Sequence, residues 1–183
     1  MSLKDIKTKI KSVDRTRKVT KAMETVSAVK MRKSQLRALS GRPYAVASLT
    51  ILKRLSSSLS AVRHPLTEKR DVKRAAIIVV TSDKGLCGVL NSSVIRNAED
   101  IIKTLGLDSS SADIYAFGRK ANDYFDRRGY TLKMKADNIS DDIELPALDE
   151  VTRLVTSSFE AKEIDEVRIV FTNFKSTFEQ YSV

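Results

Sequence analysis

AAIIVVTSDKGLCGVLNSSV occupies residues 75–94. Its first six residues are apolar without a break and rich in β-branched side chains, the composition of a strand covered on both faces. A polar turn with two glycines follows. From 89 to 105 apolar residues return at helical spacing, and Gly106 suits the position just past a helix end. Strand, tight turn and helix in that order open a parallel α/β layer.

The alternation continues toward the C-terminus. Residues 113–117 read as a strand, 119–128 as a helix closed by Gly129, and 130–135 as a strand. Pro146 suits the first turn of a helix over 146–162, and 167–174 reads as a last strand. The expected fold class is therefore α/β. A Rossmann-like domain over 74–183 would carry a mostly parallel sheet with helices on both sides.

Toward the N-terminus the pattern changes. Residues 2–40 contain neither Pro nor Gly, and Leu3, Ile6, Ile10 and Val13, then Val19, Met23 and Val26, recur in steps of three and four. Thr16 and Arg17 interrupt the series. Ser2 followed by Asp5 fits a helix start. Such a helix would reach roughly 60 Å at about 1.5 Å per residue. Its narrow apolar stripe suits a coiled-coil seam better than a helix lying on a core. Lys4, Lys7, Lys11, Lys18 and Lys21 form a basic stripe beside it. Gly41-Arg42-Pro43 leaves a stop and a kink equally open, because helical spacing resumes with Tyr44, Val46, Leu49, Leu52, Leu55 and Leu59. The organisation predicted is a shaft over 1–60, a linker over 61–73 that includes His64-Pro65, and the α/β domain after it.

The charge follows this division. Residues 1–40 hold 12 Lys and Arg against three acids (Asp5, Asp14 and Glu24), so nearly all of the formal +10 lies on the shaft. That segment should seek an acidic protein, a membrane surface or nucleic acid. Hydrophobic residues at 42% and charged residues at 31% over 183 positions exclude a disordered tail. No apolar run is long enough to span a bilayer, and no apolar leader opens the chain. A single cysteine permits no internal disulfide, so a reducing, cytosolic setting is expected.

Candidate chemistry is sparse. A dinucleotide loop needs G-x-G-x-x-G after the first strand, but Gly85 and Gly88 are three apart and that pattern is incomplete; the P-loop pattern is absent. The turn reads as structural, with glycine supplying positive φ and Ser82 or Asp83 bonding backbone donors. Cys87 would need a base to act as a nucleophile, and the sole histidine, His64, lies in the linker. Asp137, Asp141, Asp142 and Glu144 read as a solvated loop before Pro146. A basic coiled coil that binds nucleic acid is an alternative reading, although stacking aromatics are missing from the basic stripe. A small nucleotide-binding enzyme is a third.

Two motifs add a resemblance. Residues 17–33, RKVTKAMETVSAVKMRK, resemble the N-terminal helix of the gamma subunit of bacterial F-type ATP synthases, as do Arg42-Pro43-Tyr44 and His64-Pro65. Ser82-Asp83-Lys84-Gly85-Leu86-Cys87-Gly88 is similar to that family's S-[ST]-D-R-G-L-C-G signature, with Lys84 for the usual Arg. The similarity runs in order along the whole chain.

The resemblance implies a central stalk. It would rotate inside a ring of alpha and beta subunits and couple proton flow to ATP synthesis without a catalytic residue or cofactor of its own. It would bind the epsilon subunit and the c-ring at the cytoplasmic face of a bacterial membrane, and neither nucleic acid nor a small-molecule substrate. It also implies chain beyond Val183, with a C-terminal helix pairing antiparallel with the shaft, so a gamma subunit lacking its C-terminal part is expected. By the same resemblance Lys18, Lys21, Met23 and Lys30 on the shaft, and Asp83, Lys84, Gly85 and Cys87 in the turn, would meet an acidic lever of the beta subunit. Leu3, Ile6, Ile10, Val13, Val19 and Val26 would form the coiled-coil seam.

Overall fold

A computed structural model describes residues 2–58, 64–137 and 145–183. The chain divides into two compact units, Met1–Arg54 and Leu55–Val183.

The first unit is almost all one helix, α1, which runs from Leu3 to Ser58 over 56 residues. Its start is a reciprocal cap: the Ser2 N–H donates to Asp5 Oδ2 at 2.9 Å while the Lys4 N–H donates to Ser2 Oγ at 3.3 Å. The helix passes through Gly41 and Pro43 without ending. Pro43 has no N–H to give the Leu39 carbonyl, so one rung is lost there and the strong helix formers on either side carry the helix through. Not one described α1 side chain is buried. Helices of this kind gain most of their stability from packing, so α1 is a helix that needs a neighbour.

The second unit holds a four-stranded parallel sheet, ordered β3-β2-β1-β4. The strands are β1 (Ala75–Val80), β2 (Ala112–Phe117), β3 (Thr131–Ala136) and β4 (Glu166–Val170). The helices are α2 (Leu90–Thr104), α3 (Arg119–Arg127) and α4 (Leu145–Glu160). Alternation along β1 sorts the two cores. Ala75, Ile77 and Val79 pack with Val94, Ala98 and Ile102 of α2 and with Ala121 and Phe125 of α3. Ala76, Ile78 and Val80 face the other way, toward Val151, Val155 and Phe159 of α4. Helices on both faces explain why AAIIVV shows no polar alternation.

The last strand departs from expectation. A single strand over 167–174 was predicted, but β4 stops at Val170. Thr172–Phe174 form β5, which pairs antiparallel with β6 (Gln180–Ser182) in a separate two-stranded sheet. The switch occurs at Phe171, whose N–H and carbonyl bond Val183 at 3.0 and 2.9 Å. An apolar run records that a segment is extended, not which neighbour it pairs with.

Of the linker expected over 61–73, residues 64–73 are described and are pinned within the second unit. His64 Nδ1 accepts the Leu66 N–H at 3.2 Å and caps a 3-10 turn over Pro65–Thr67. The Arg70 guanidinium donates to the Phe159 carbonyl at 2.8 Å and lies 4.4 Å from the centre of the Phe159 ring. Asp165 accepts the N–H groups of Lys73 and Arg74 at 2.8 and 3.0 Å. Those donors, Lys73 first, hold its carboxyl below the usual range.

At the N-terminal ends of β1 and β2, Arg74 pairs with Asp113 at 2.8 Å, and the two side chains differ in exposure, 44% against 6%. The asymmetry predicts unequal losses. Arg74→Met strands a nearly buried carboxylate and should cost about 3 kcal/mol, whereas Asp113→Asn leaves an arginine that can turn to water and should cost about 1 kcal/mol. Urea unfolding of the two variants at neutral pH checks the order; equal losses would refute it.

Candidate interaction site

The turn after β1 sits at the C-terminal rim of the sheet and is built by three elements. The Thr81 N–H donates to the Phe117 carbonyl at 2.7 Å, and Thr81 Oγ1 accepts the Ala121 N–H at 2.9 Å. Asn91, in the first turn of α2, holds Ser82 twice: Oδ1 accepts the Ser82 N–H and Nδ2 donates to Ser82 Oγ, both at 2.9 Å. Ser82 Oγ then donates to the Lys84 carbonyl at 2.6 Å. Asp83 Oδ1 accepts the Arg119 N–H at 2.9 Å at the start of α3, where a carboxylate is favoured by the helix dipole. The turn is thus tied to α2 and α3 before it meets anything else.

Gly118 makes this closure possible. It joins β2 to α3 at φ +94°, and a Cβ there would lie 2.2 Å from the Thr81 carbonyl oxygen. Sequence reading did not single it out, nor Asn91 or Arg119. The available signal was a glycine between a strand and a helix, which marks a close backbone approach.

The geometry does not make a nucleophile of Cys87. Asn91 Nδ2 lies 3.1 Å from its sulfur and Ser82 Oγ 4.0 Å away, and neither is a base. Among the described residues no group of three or more His, Cys, Asp or Glu is placed to hold a metal. Asp141, Asp142 and Glu144 of the expected acidic loop lie outside the described residues. A cavity of about 510 Å³ lies between the Leu66–Arg70 segment and α4, but the Arg70 guanidinium beside it is already held by Glu68 and the Phe159 carbonyl. No helix among the described residues is long and apolar enough to cross a membrane.

The predicted contact residues fall in two places. Asp83, Lys84, Gly85 and Cys87 share the turn, whereas Lys18, Lys21, Met23 and Lys30 lie on α1 in the other unit. At about 100° per residue, Leu3, Ile6, Ile10 and Val13 share one face of α1; Val19, Met23, Val26 and Lys30 share another, more than about 100° away. The expected seam is therefore two apolar stripes, and Lys4, Lys7, Lys11 and Lys18 run between them. Both stripes are open: Ile10 is 63% exposed and Val26 56%. Lys18 pairs with Asp14 at 2.9 Å and Lys21 with Glu24 at 3.1 Å, on the helix surface.

Comparison with known proteins gives a consistent picture. A family model described as ATP synthase matches residues 2–183. The chain is 37% identical over 182 residues to the ATP synthase gamma chain of Pelotomaculum thermopropionicum, covering all of this chain and 63% of that one. It is 39% identical over 180 residues to the ATP synthase gamma chain of Ralstonia nicotianae, covering 98% and 62%. The chain therefore spans a little under two thirds of the length of these curated relatives. The fold also matches the Tetrahymena thermophila mitochondrial ATP synthase central stalk/c-ring structure, with a TM-score of 0.70 and 25% identity over 90% of this chain and 70% of that one.

Proposed function

Because the chain belongs to the ATP synthase gamma-chain family, we propose that it acts as a central-stalk subunit of a proton-translocating F-type ATP synthase. In this role it turns inside a ring of alpha and beta subunits, couples proton flow to ATP synthesis and restrains ATP hydrolysis, with no catalytic residue of its own. Its other partners are the epsilon subunit and the c-ring, which keep it peripheral to the cytoplasmic face of the membrane. The observation that carries the reading is the match of residues 2–183, in order, to the family.

The physics of α1 supports it. A helix with two open apolar stripes and a basic stripe between them suits a shaft enclosed by protein with acidic surfaces. Surface pairs such as Lys18–Asp14 and Lys21–Glu24 are worth about 0–1 kcal/mol, so they exchange readily for acids of a neighbour. The charges steer and orient more than they bind. On this reading Lys18, Lys21, Met23 and Lys30 on the shaft, and Asp83, Lys84, Gly85 and Cys87 in the turn, face the beta subunit.

The test is co-expression with bacterial alpha and beta subunits, with and without the remaining C-terminal segment of a gamma-chain relative, followed by sizing and ATP hydrolysis. An assembly of defined size that hydrolyses ATP is expected. Lys21→Glu and Lys84→Glu should each weaken it about tenfold, because each sets like charges together. Failure to assemble under either condition would remove the stalk reading.

A further inference from the structure

Residues 64–69 are all exposed, and Arg70 is the first side chain after them to enter the second unit, 11% exposed. It does so across a gap. The cavity of about 510 Å³ has Leu66, Glu68 and Lys69 on one side and Val155, Thr156 and Phe159 on the other, so apolar packing between the segment and α4 is incomplete. The guanidinium bridges that gap. Nη1 donates to the Phe159 carbonyl at 2.8 Å, in the last turn of α4, and to the Ile164 carbonyl at 3.4 Å, just before β4. Cζ lies 4.4 Å from the centre of the Phe159 ring. Nε and Nη2 both donate to Glu68 Oε2, at 3.2 and 2.9 Å. The helix dipole favours a cation at this end of α4, and a planar fork laid on an aromatic ring is a geometry that lysine does not copy.

The ties continue back along the chain. The Thr67 N–H donates to the His64 carbonyl at 2.9 Å and the Glu68 N–H to the Pro65 carbonyl at 3.3 Å. Residues 64–70 are therefore joined to one another, and Arg70 joins them to α4. Asp165 holds the backbone again at Lys73 and Arg74, where β1 begins. The chain passes from α1 to β1 through residues 59–74. A lone backbone turns about two soft dihedrals per residue, so it conveys torque only where other contacts stop it from swivelling. Without Arg70, swivelling about Asp71 and Val72 would be open.

We infer that Arg70 is a positioning residue of the rotary coupling: it locks residues 64–70 to the end of α4, so that rotation of the shaft is passed to the α/β fold without slip. This rests on the stalk reading and adds to it the joint at which that fold is driven.

The test uses a bacterial F-type synthase in inverted membrane vesicles, with its own gamma chain replaced by this one. The C-terminal segment of a gamma-chain relative is joined on where assembly requires it. ATP hydrolysis and ATP-driven proton uptake are measured on the same vesicles. Arg70→Met should leave hydrolysis per assembled complex standing and lower the protons moved per ATP at least about threefold, within the range by which residues along a coupling network act. Arg70→Lys keeps the charge but loses the fork, and should lower the same ratio by about twofold; it decides the matter if Arg70→Met does not assemble. Ile102→Val, a buried change on α2, is the control for lost stability and should leave the ratio unchanged. An unchanged ratio in the assembled Arg70 variants, or an equal fall in Ile102→Val, would overturn the joint and leave the stalk reading standing. Failure of the unsubstituted chain to assemble would overturn both.

Discussion

Gly118→Ala should be the most damaging single methyl in the second unit. The added Cβ would sit 2.2 Å from the Thr81 carbonyl oxygen, 2.6 Å from its carbon and 2.9 Å from Thr81 Oγ1. Two of those three atoms are backbone and cannot rotate aside. Residue 118 also holds φ +94°, which side-chain-bearing residues rarely adopt. Relief would require Thr81 to move, but its N–H is bound to the Phe117 carbonyl at 2.7 Å and the Gly118 N–H to the Ala136 carbonyl at 2.7 Å. The strain therefore passes into the β1–β2 and β2–β3 pairings. Backbone strain and overpacking together should cost about 4 kcal/mol. That corresponds to a melting temperature lower by roughly 8–16 °C for a chain of this size. Gly85→Ala is the control, since the nearest atom to its Cβ position is a flexible lysine carbon at 3.9 Å and no positive φ is involved. It should change stability by no more than about 0.5 kcal/mol. Comparable melting of the two variants would show that the approach at Gly118 relaxes without consequence.

This closure also marks the limit of what could be read in the sequence. The β1–turn–α2 unit was legible because a strand covered on both faces has an unbroken apolar composition, and α2 and α3 because Gly106 and Gly129 end them at positive φ. Ser2 and Asp5 announced the start of α1 through a cap that spans only four residues. Each of these signals is local. Gly118 was missed because its meaning lies in Thr81, 37 positions earlier, which approaches it only once β1 and β2 are paired. The end of β4 was misread for the same reason: Phe171 leaves the parallel sheet by bonding Val183, and nothing in its own neighbourhood records that. Leu86 stands fully exposed at φ +61° within its motif, and spacing reports neither property. On α1 the steps of three and four were counted correctly on each side of Thr16-Arg17, but the step of six from Val13 to Val19 carries the second group to a different face.

Ile6→Gln, Ile10→Gln and Val13→Gln combined should abolish assembly without harming the free chain. In that chain these side chains are 41%, 63% and 67% exposed, so their replacement removes no packing. Glutamine is at least as good a helix former as isoleucine or valine, so helicity should hold. The second unit has its own two cores and should melt unchanged. Under the stalk role, however, this stripe is where the relatives' C-terminal segment would lie. Burying each side chain is worth roughly 1.5–3 kcal/mol, so losing three should weaken association with that segment by at least about a thousandfold. If the stripe is simply a solvated face, the triple variant will bind as the unchanged chain does. The second stripe separates two geometries. A segment that wraps around α1 would also be weakened by Val19→Gln with Val26→Gln, whereas one that lies straight along the first stripe would not. In the latter case Val19, Met23 and Val26 belong to a different neighbour, and the ring is where to look for it. The open, two-sided character of α1 is then explained by its having two kinds of surface to satisfy at once, with the basic stripe between them turned toward acids.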